Sequence, residues 1–283
     1  MRIALATCET LPELFTDDQM LMEALRRRGA EAFPLVWSSE EACEIAPDLC
    51  VIRNTWDYYL RPSEFISWAE EIAARTELLN PFPLLRWNHH KGYLLELAAK
   101  KLPVVPTILV KQGRSMDLAA LTTAAAWPEI VVKPAISAGA YRTGRYRGED
   151  PAAQAHLLDL SNDADALVQP YLPSVETYGE RSFLFIEGEL THGVRRTQAL
   201  TEGVGIERTM ERVTPTEEER RIAHAVMAAL PVAPLYGRVD LAPDAEGRPL
   251  LMEVEVMEPR LFLQECPEAL EKLADAILAR VGS

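Results

Sequence analysis

The stretch LLMEVEVMEP, residues 250–259, alternates apolar and acidic side chains. A strand repeats every two residues, so Glu253, Glu255 and Met257 share one face, and Met252, Val254 and Val256 share the other. Two carboxylates placed this way stand about 7 Å apart, on a face that either lies in water or holds a cation. The longer segment YGRVDLA–PDAEGR–PLLMEVEV reads as a hairpin, and pairing GRVDL with LLMEVE sets Asp240 opposite Glu253. Three like charges at such spacing repel unless a cation neutralises them or water surrounds them. Oxygen ligands from two adjacent strands suit Mg²⁺ or Mn²⁺, which keep waters and share phosphate oxygens. Asp240, Glu253 and Glu255 are therefore candidate metal ligands, with an edge strand bearing a wet acidic face as the alternative.

Cations occur at unusual places upstream. Lys133 closes the apolar run IVVKPA, where it either snorkels to solvent or meets an anion. The small-residue loop SAGAYRTG follows directly and can aim backbone N–H groups at phosphate oxygens. Lys91 stands at a predicted helix start, an unfavourable place for a cation unless an anion shares it. In DALVQPYLP, Pro170 cannot donate to a ladder, which predicts an edge or an interdomain hinge with free backbone groups for a base. Arg53 and Asn54 end a predicted parallel strand in RNTWDYYLRP, where open α/β sheets bind ligands. Arg53 could pair bidentately with a substrate carboxylate or form a structural pair with Asp57. His89, His90 and His192 read as exposed residues rather than ligands, and no Ser/His/Asp or Cys/His pattern supports nucleophilic catalysis.

Composition narrows the function classes. A net charge of −14 over 283 residues argues against a nucleic-acid surface or attraction to anionic lipid, so positive charge for an anionic ligand must be local. No apolar run approaches the roughly 18 residues of a membrane span, and MRIALATCETLPE reads as a first strand rather than a secretory signal. The four cysteines form no CxxC pair, which predicts reduced thiols and a cytoplasmic protein.

The elements that must position these residues fall into three groups. Residues 1–87 alternate strands and helices, as in a Rossmann-like unit with a parallel sheet, although no GxGxxG marks a dinucleotide site. Residues 88–170 read as a small α+β unit, opening with a helix NHHKGYLLELAAKK capped by Asn88. Residues 171–283 read as antiparallel hairpins, with a tight turn at Glu187–Gly188, followed by a last helix.

The order of Lys, Lys–Pro with its loop, hinge, Arg, Asp and Glu-x-Glu resembles the ATP-grasp superfamily over the whole chain. That resemblance implies two α+β domains clamping ATP behind the Rossmann-like unit, with Mg²⁺ or Mn²⁺ bridging phosphates to acidic strand residues. It assigns phosphate binding to Lys91, Lys133 and the loop carrying Ser137 and Gly139, and the adenine hinge to Gln169, Tyr171 and Leu172. Ribose falls to Glu180, with Glu176 the other candidate, the transferring phosphoryl group to Arg195, and metals to Asp240, Glu253 and Glu255. The stretches IRNTWDY, RWNHHKGYLLELA, VVKPAISAGA, VQPYLPSV, YGRVDL and LLMEVEVMEPRLFL are similar to the glutathione-synthetase-like branch that includes the D-cycloserine-forming O-ureido-D-serine cyclo-ligases. The implied reaction is activation of a small amino-acid carboxylate as an acyl phosphate for attack by nitrogen. The nitrogen lies within the same molecule, or comes from a second amine as in peptide-type ligases. A nucleotide-binding regulator without turnover is the remaining alternative. Small amino-acid-like substrate and ATP are the expected partners, without nucleic acid or membrane, and a homo-oligomer is left open. Glu255 stands where many such ligases carry Asn, and the loop is poor in glycine.

Overall fold

A computed structural model describes residues 1–201 and 204–280, and for 198–201 and 204–209 the backbone course alone. Strands β1 (Arg2–Thr7), β2 (Glu31–Val36), β3 (Leu49–Asn54) and β4 (Glu77–Leu79) form a parallel sheet in the order β2-β1-β3-β4. Helices Thr16–Arg27 and Pro62–Ala73 make the crossovers, the latter with proline in its first turn. Every residue of β3 is buried, as expected for a parallel strand covered on both faces.

A second, antiparallel sheet contains β5 (Ile108–Val110), β6 (Glu129–Pro134), β7 (Gly144–Arg147) and β8 (Ala166–Pro170), ordered β5-β8-β6-β7. Helices Leu118–Ala125 and Pro151–Asp163 cover it, their N-termini capped by the side chains of Asp117 and Asp150. Its core gathers Leu118, Ile130, Val132, Leu157 and Val168. Pro170 lies on an internal strand rather than an edge. It costs no bond there, because pairing with β5 ends at Val168.

The third sheet is antiparallel: β9 (Glu180–Ile186), β10 (Glu189–Thr201), β11 (Val204–Val213), β12 (Tyr236–Pro243) and β13 (Pro249–Glu255), ordered β11-β10-β9-β12-β13. Glu187 and Gly188 both take positive φ, 50° and 77°, the left-handed pair that a two-residue hairpin turn requires. Asp240 pairs with Glu253 in register.

Asn88 does not cap a helix. It ends the helix Phe82–Asn88, and a separate helix spans Tyr93–Ala99. Its amide instead serves the outer edge of β13, donating to Val254 O at 2.8 Å and accepting from Val256 N at 2.9 Å. Tyr93 Oη accepts from Val254 N, and the 103–105 segment bonds Leu251 in both directions. The edge of β13 is therefore covered, because a bare edge leaves backbone groups unsatisfied. Leu84, Tyr93, Leu94 and Leu97 share one core with Phe183, Phe185 and Val254. Residues 88–105, expected with the central unit, thus pack with the third sheet. Among the described residues no helix is long and apolar enough to cross a membrane, and Cys8, Cys43, Cys50 and Cys266 are all free thiols.

Candidate active site

The three sheets converge on a cleft of about 630 Å³, walled by β6, β8, β13 and residues Trp56 and Tyr59 of the first unit. Lys91, buried, reaches across it. Its Nζ donates to Ser137 O at 2.6 Å and lies 3.0 Å from Glu253 Oε1. Burial works against its charge, but Glu253, Glu255 and Glu258 outweigh burial and hold the ammonium above its ordinary pKa. Lys133 faces the same space with a lowered pKa, through burial and the like charge of Lys91, against the opposing pull of Glu253.

The loop after β6 carries Gly139, Ala140 and Arg142 at φ of 58°, 62° and 46°. Two of these are not glycine, so the left-handed turn is maintained at some backbone cost, and concave runs of amides of this kind bind anions. The Tyr141 ring packs on Tyr59 with centroids 4.7 Å apart, joining the loop to the first unit. On the β8 side, Gln169, Tyr171 and Leu172 line the cleft. Glu180 also lines it and accepts from Arg196. Glu176 sits beside these residues, accepting from Tyr171 Oη and from Arg145, whose guanidinium lies 3.6 Å over the Tyr171 ring.

The acidic strand behaves differently from its expected repulsion. Asp240 is buried and accepts from Arg238 Nε and Nη2, each at 2.9 Å, and from Ser182 Oγ at 2.6 Å. Arg238 Nη2 also donates to Glu255. Three protein cations, Lys91, Arg196 and Arg238, already stand among the three carboxylates. Burial raises the Asp240 carboxyl, but Arg238 and Arg196 outweigh it and leave it below its ordinary value. The carboxyls closer to the cleft shift the other way. Burial, together with neighbouring carboxylates, pushes Glu255 up to about 8 and Glu258 to about 7, Arg238 and Lys91 only partly offsetting it. Burial likewise lifts Glu180 to about 7 against the pull of Arg196. Among the described residues no three His, Cys, Asp or Glu side chains form a ready-made metal cluster. The oxygen donors of Glu253 and Glu255 on the cleft wall nevertheless fit a hard divalent cation.

Three predicted residues lie elsewhere. Arg195 points away from the cleft and pairs with Glu211 at 3.3 Å. Its neighbour Arg196 takes the opposite face of β10 and pairs with Glu180 and Asp240. Arg53 is fully buried, its Nε donating to Asp18 Oδ1 at 2.5 Å rather than pairing with Asp57. Asn54 is equally buried, donating to Asp18 Oδ2 and accepting from Phe15 N. Neither lines the cleft. Residues the sequence reading passed over do line it: Trp56, Arg238, Glu258 and Arg260. For Arg238 a signal existed, since period two places it on the same face of β12 as Asp240.

Comparison with known proteins agrees with this geometry. Residues 3–80 match the family model of the N-terminal domain of D-cycloserine synthetase DcsG. The cycloserine biosynthesis protein DcsG of Streptomyces lavendulae is 30% identical, covering 99% of this chain and 98% of that protein. The crystal structure of D-cycloserine synthetase DcsG superposes with a TM-score of 0.89 at 29% identity, over 99% of this chain and 100% of the other. An ATP-grasp RimK-domain protein of Sphaerobacter thermophilus superposes with a TM-score of 0.72 at 18% identity, over 98% and 100% of the two chains, a likeness of fold. Three sheets closing on a cleft of cations and carboxylates are thus the ATP-grasp fold, and by its end-to-end similarity the chain belongs to the DcsG family of ATP-grasp ligases.

Proposed function

We propose that this protein is an ATP- and Mg²⁺-dependent carbon–nitrogen ligase that converts O-ureido-D-serine into D-cycloserine. The observation that carries the reading is the position of Lys91. Its ammonium links the loop after β6 to the acidic strand, so phosphate-binding cations and metal-binding carboxylates share one cleft. The family relationship supports the substrate.

In this reading Gln169, Tyr171 and Leu172 receive the adenine, and Glu180 or Glu176 the ribose. Lys91, Lys133 and the amides of Ser137–Gly139 take the phosphates. Glu253 and Glu255, with Asp240 behind them, would hold Mg²⁺, whose charge neutralises phosphate oxygens when it is bound. A substrate carboxylate oxygen attacks the γ-phosphorus and ADP departs, leaving an acyl phosphate. The ureido nitrogen bonded to oxygen then attacks the acyl carbon, the C–N bond closes the ring, and phosphate leaves. Water removes the carbamoyl group as CO₂ and ammonia. The chain forms no covalent intermediate; it positions the reactants and stabilises charge. Arg238, facing the cleft where Arg195 does not, is the guanidinium suited to the developing negative charge.

The test is coupled ADP release with O-ureido-D-serine, ATP and Mg²⁺, with the product identified by mass spectrometry. Equimolar ADP and D-cycloserine are expected. ADP release only when a second amine accompanies an amino acid would replace cyclisation by intermolecular ligation.

A further inference from the structure

We infer that Glu258 recognises the substrate's protonated amine and that Arg53 and Trp56 of the first unit fix it for that task. The inference rests on the ligase reading and adds to it the side chain that reads the ammonium beside the carboxylate to be phosphorylated.

Four glutamates line the cleft, Glu180, Glu253, Glu255 and Glu258. The first three have cationic partners in Arg196, Lys91 and Arg238 respectively. Glu258 is only 8% exposed, and its carboxylate has no ion-pair or hydrogen-bond partner in another of the described residues. A carboxylate so buried is costly unless a cation reaches it. Its backbone, in contrast, is held at two successive carbonyls. Trp56 Nε1 donates to Glu258 O at 3.0 Å, and Arg53 Nη2 donates to Pro259 O at 2.9 Å. Arg53 is itself fixed by Asp18 and lies 4.9 Å over the Tyr236 ring. Arg260, two residues on, lines the same cleft and lies 4.0 Å from Asp17 of the first unit. Arg53 therefore serves substrate recognition as a positioning residue, through the backbone of the segment it holds.

The experiment compares O-ureido-D-serine with its analogue lacking the α-amino group, by ADP release at saturating Mg²⁺. Wild type should favour the amine by about tenfold or more in kcat/KM, the worth of one charge-assisted contact. Glu258→Gln should raise KM for O-ureido-D-serine about tenfold or more, leave KM for ATP within about twofold, and erase the preference. Arg53→Lys and Trp56→Phe should weaken the same preference, again without moving KM for ATP. Should Glu258→Gln fail a thermal-melt check of folding, Glu258→Asp decides: it should keep the preference with a raised KM, and an unchanged KM overturns the proposal. Undiminished preference in Glu258→Gln overturns it. So does a changed Mg²⁺ requirement with the preference intact, which would make Glu258 a metal ligand. If wild type releases no ADP with either compound or with any other small amino acid, the ligase reading falls, and this inference with it.

Discussion

Lys133 and Arg53 show how differently two buried cations can be employed. Lys133 ends β6 inside the cleft, where burial and Lys91 depress its pKa; an arriving phosphate would restore the charge balance. Lys133→Ala should raise KM for ATP and lower kcat, together by about tenfold or more, since a charge-assisted contact is worth about 1.5–3 kcal/mol. Unchanged steady-state kinetics would remove Lys133 from the site. Arg53 meets no solvent, and its removal strands Asp18 beneath the first sheet. Arg53→Met should cost about 3–5 kcal/mol in chemical denaturation, the penalty of an uncompensated buried charge. Adding Asp18→Asn should recover part of that loss, because the stranded charge disappears while an acceptor for Asn54 remains. A single variant as stable as wild type would contradict the pairing seen here.

At the scale of elements, β13 divides two jobs between its faces. Glu253 and Glu255 face the cleft, while Val254 is packed in the core with Phe183 and Phe185. Ligands that bind only the folded state stabilise it by mass action, so Mg²⁺ with a non-hydrolysable ATP analogue should raise the melting temperature. Glu253→Gln should abolish most ADP release and shrink that shift. Val254→Thr should lower the melting temperature, because it buries a hydroxyl, and preserve the shift. Full Mg²⁺-dependent turnover in Glu253→Gln would leave the acidic face without a metal role. The alternation was legible in the sequence because a strand's period of two is local. The cover over the strand's outer edge was not: Asn88 and Val254 are 166 residues apart.

Across the whole molecule, the segment following β13 is where the units are tied together. Asp17 of the first unit accepts from Leu263 N and Gln264 Nε2, and His192 on β10 bonds Leu261 O through Nε2 at 3.1 Å. Burial pushes the His192 imidazole down to about 4, with Arg212 adding to the effect and Asp17 and the backbone acceptors opposing it. The folded protein thus keeps His192 neutral where the unfolded chain takes up a proton, near pH 6.5. Its contribution to stability is full above that pH and is lost as pH falls towards 4. The raised carboxyls of Glu180, Glu255 and Glu258 act in the opposite direction, so the difference between proteins is the quantity to measure. Wild type should lose up to about 3 kcal/mol more than His192→Gln between pH 7 and pH 4 in denaturant titrations; parallel pH profiles would refute the assignment. By itself the sequence determined the strand alternation, the Glu187–Gly188 turn, the pairing of Asp240 with Glu253, and the order of lysines, hinge and acids. Each depends on periodicity or turn chemistry among near neighbours. Only the tertiary structure decided which charges meet. Arg196 rather than Arg195 faces the acids, Asp18 rather than Asp57 holds Arg53, and Trp56 reaches Glu258 from 202 residues away. Such pairings follow from how separate elements pack, and a buried charge takes whichever partner packing delivers.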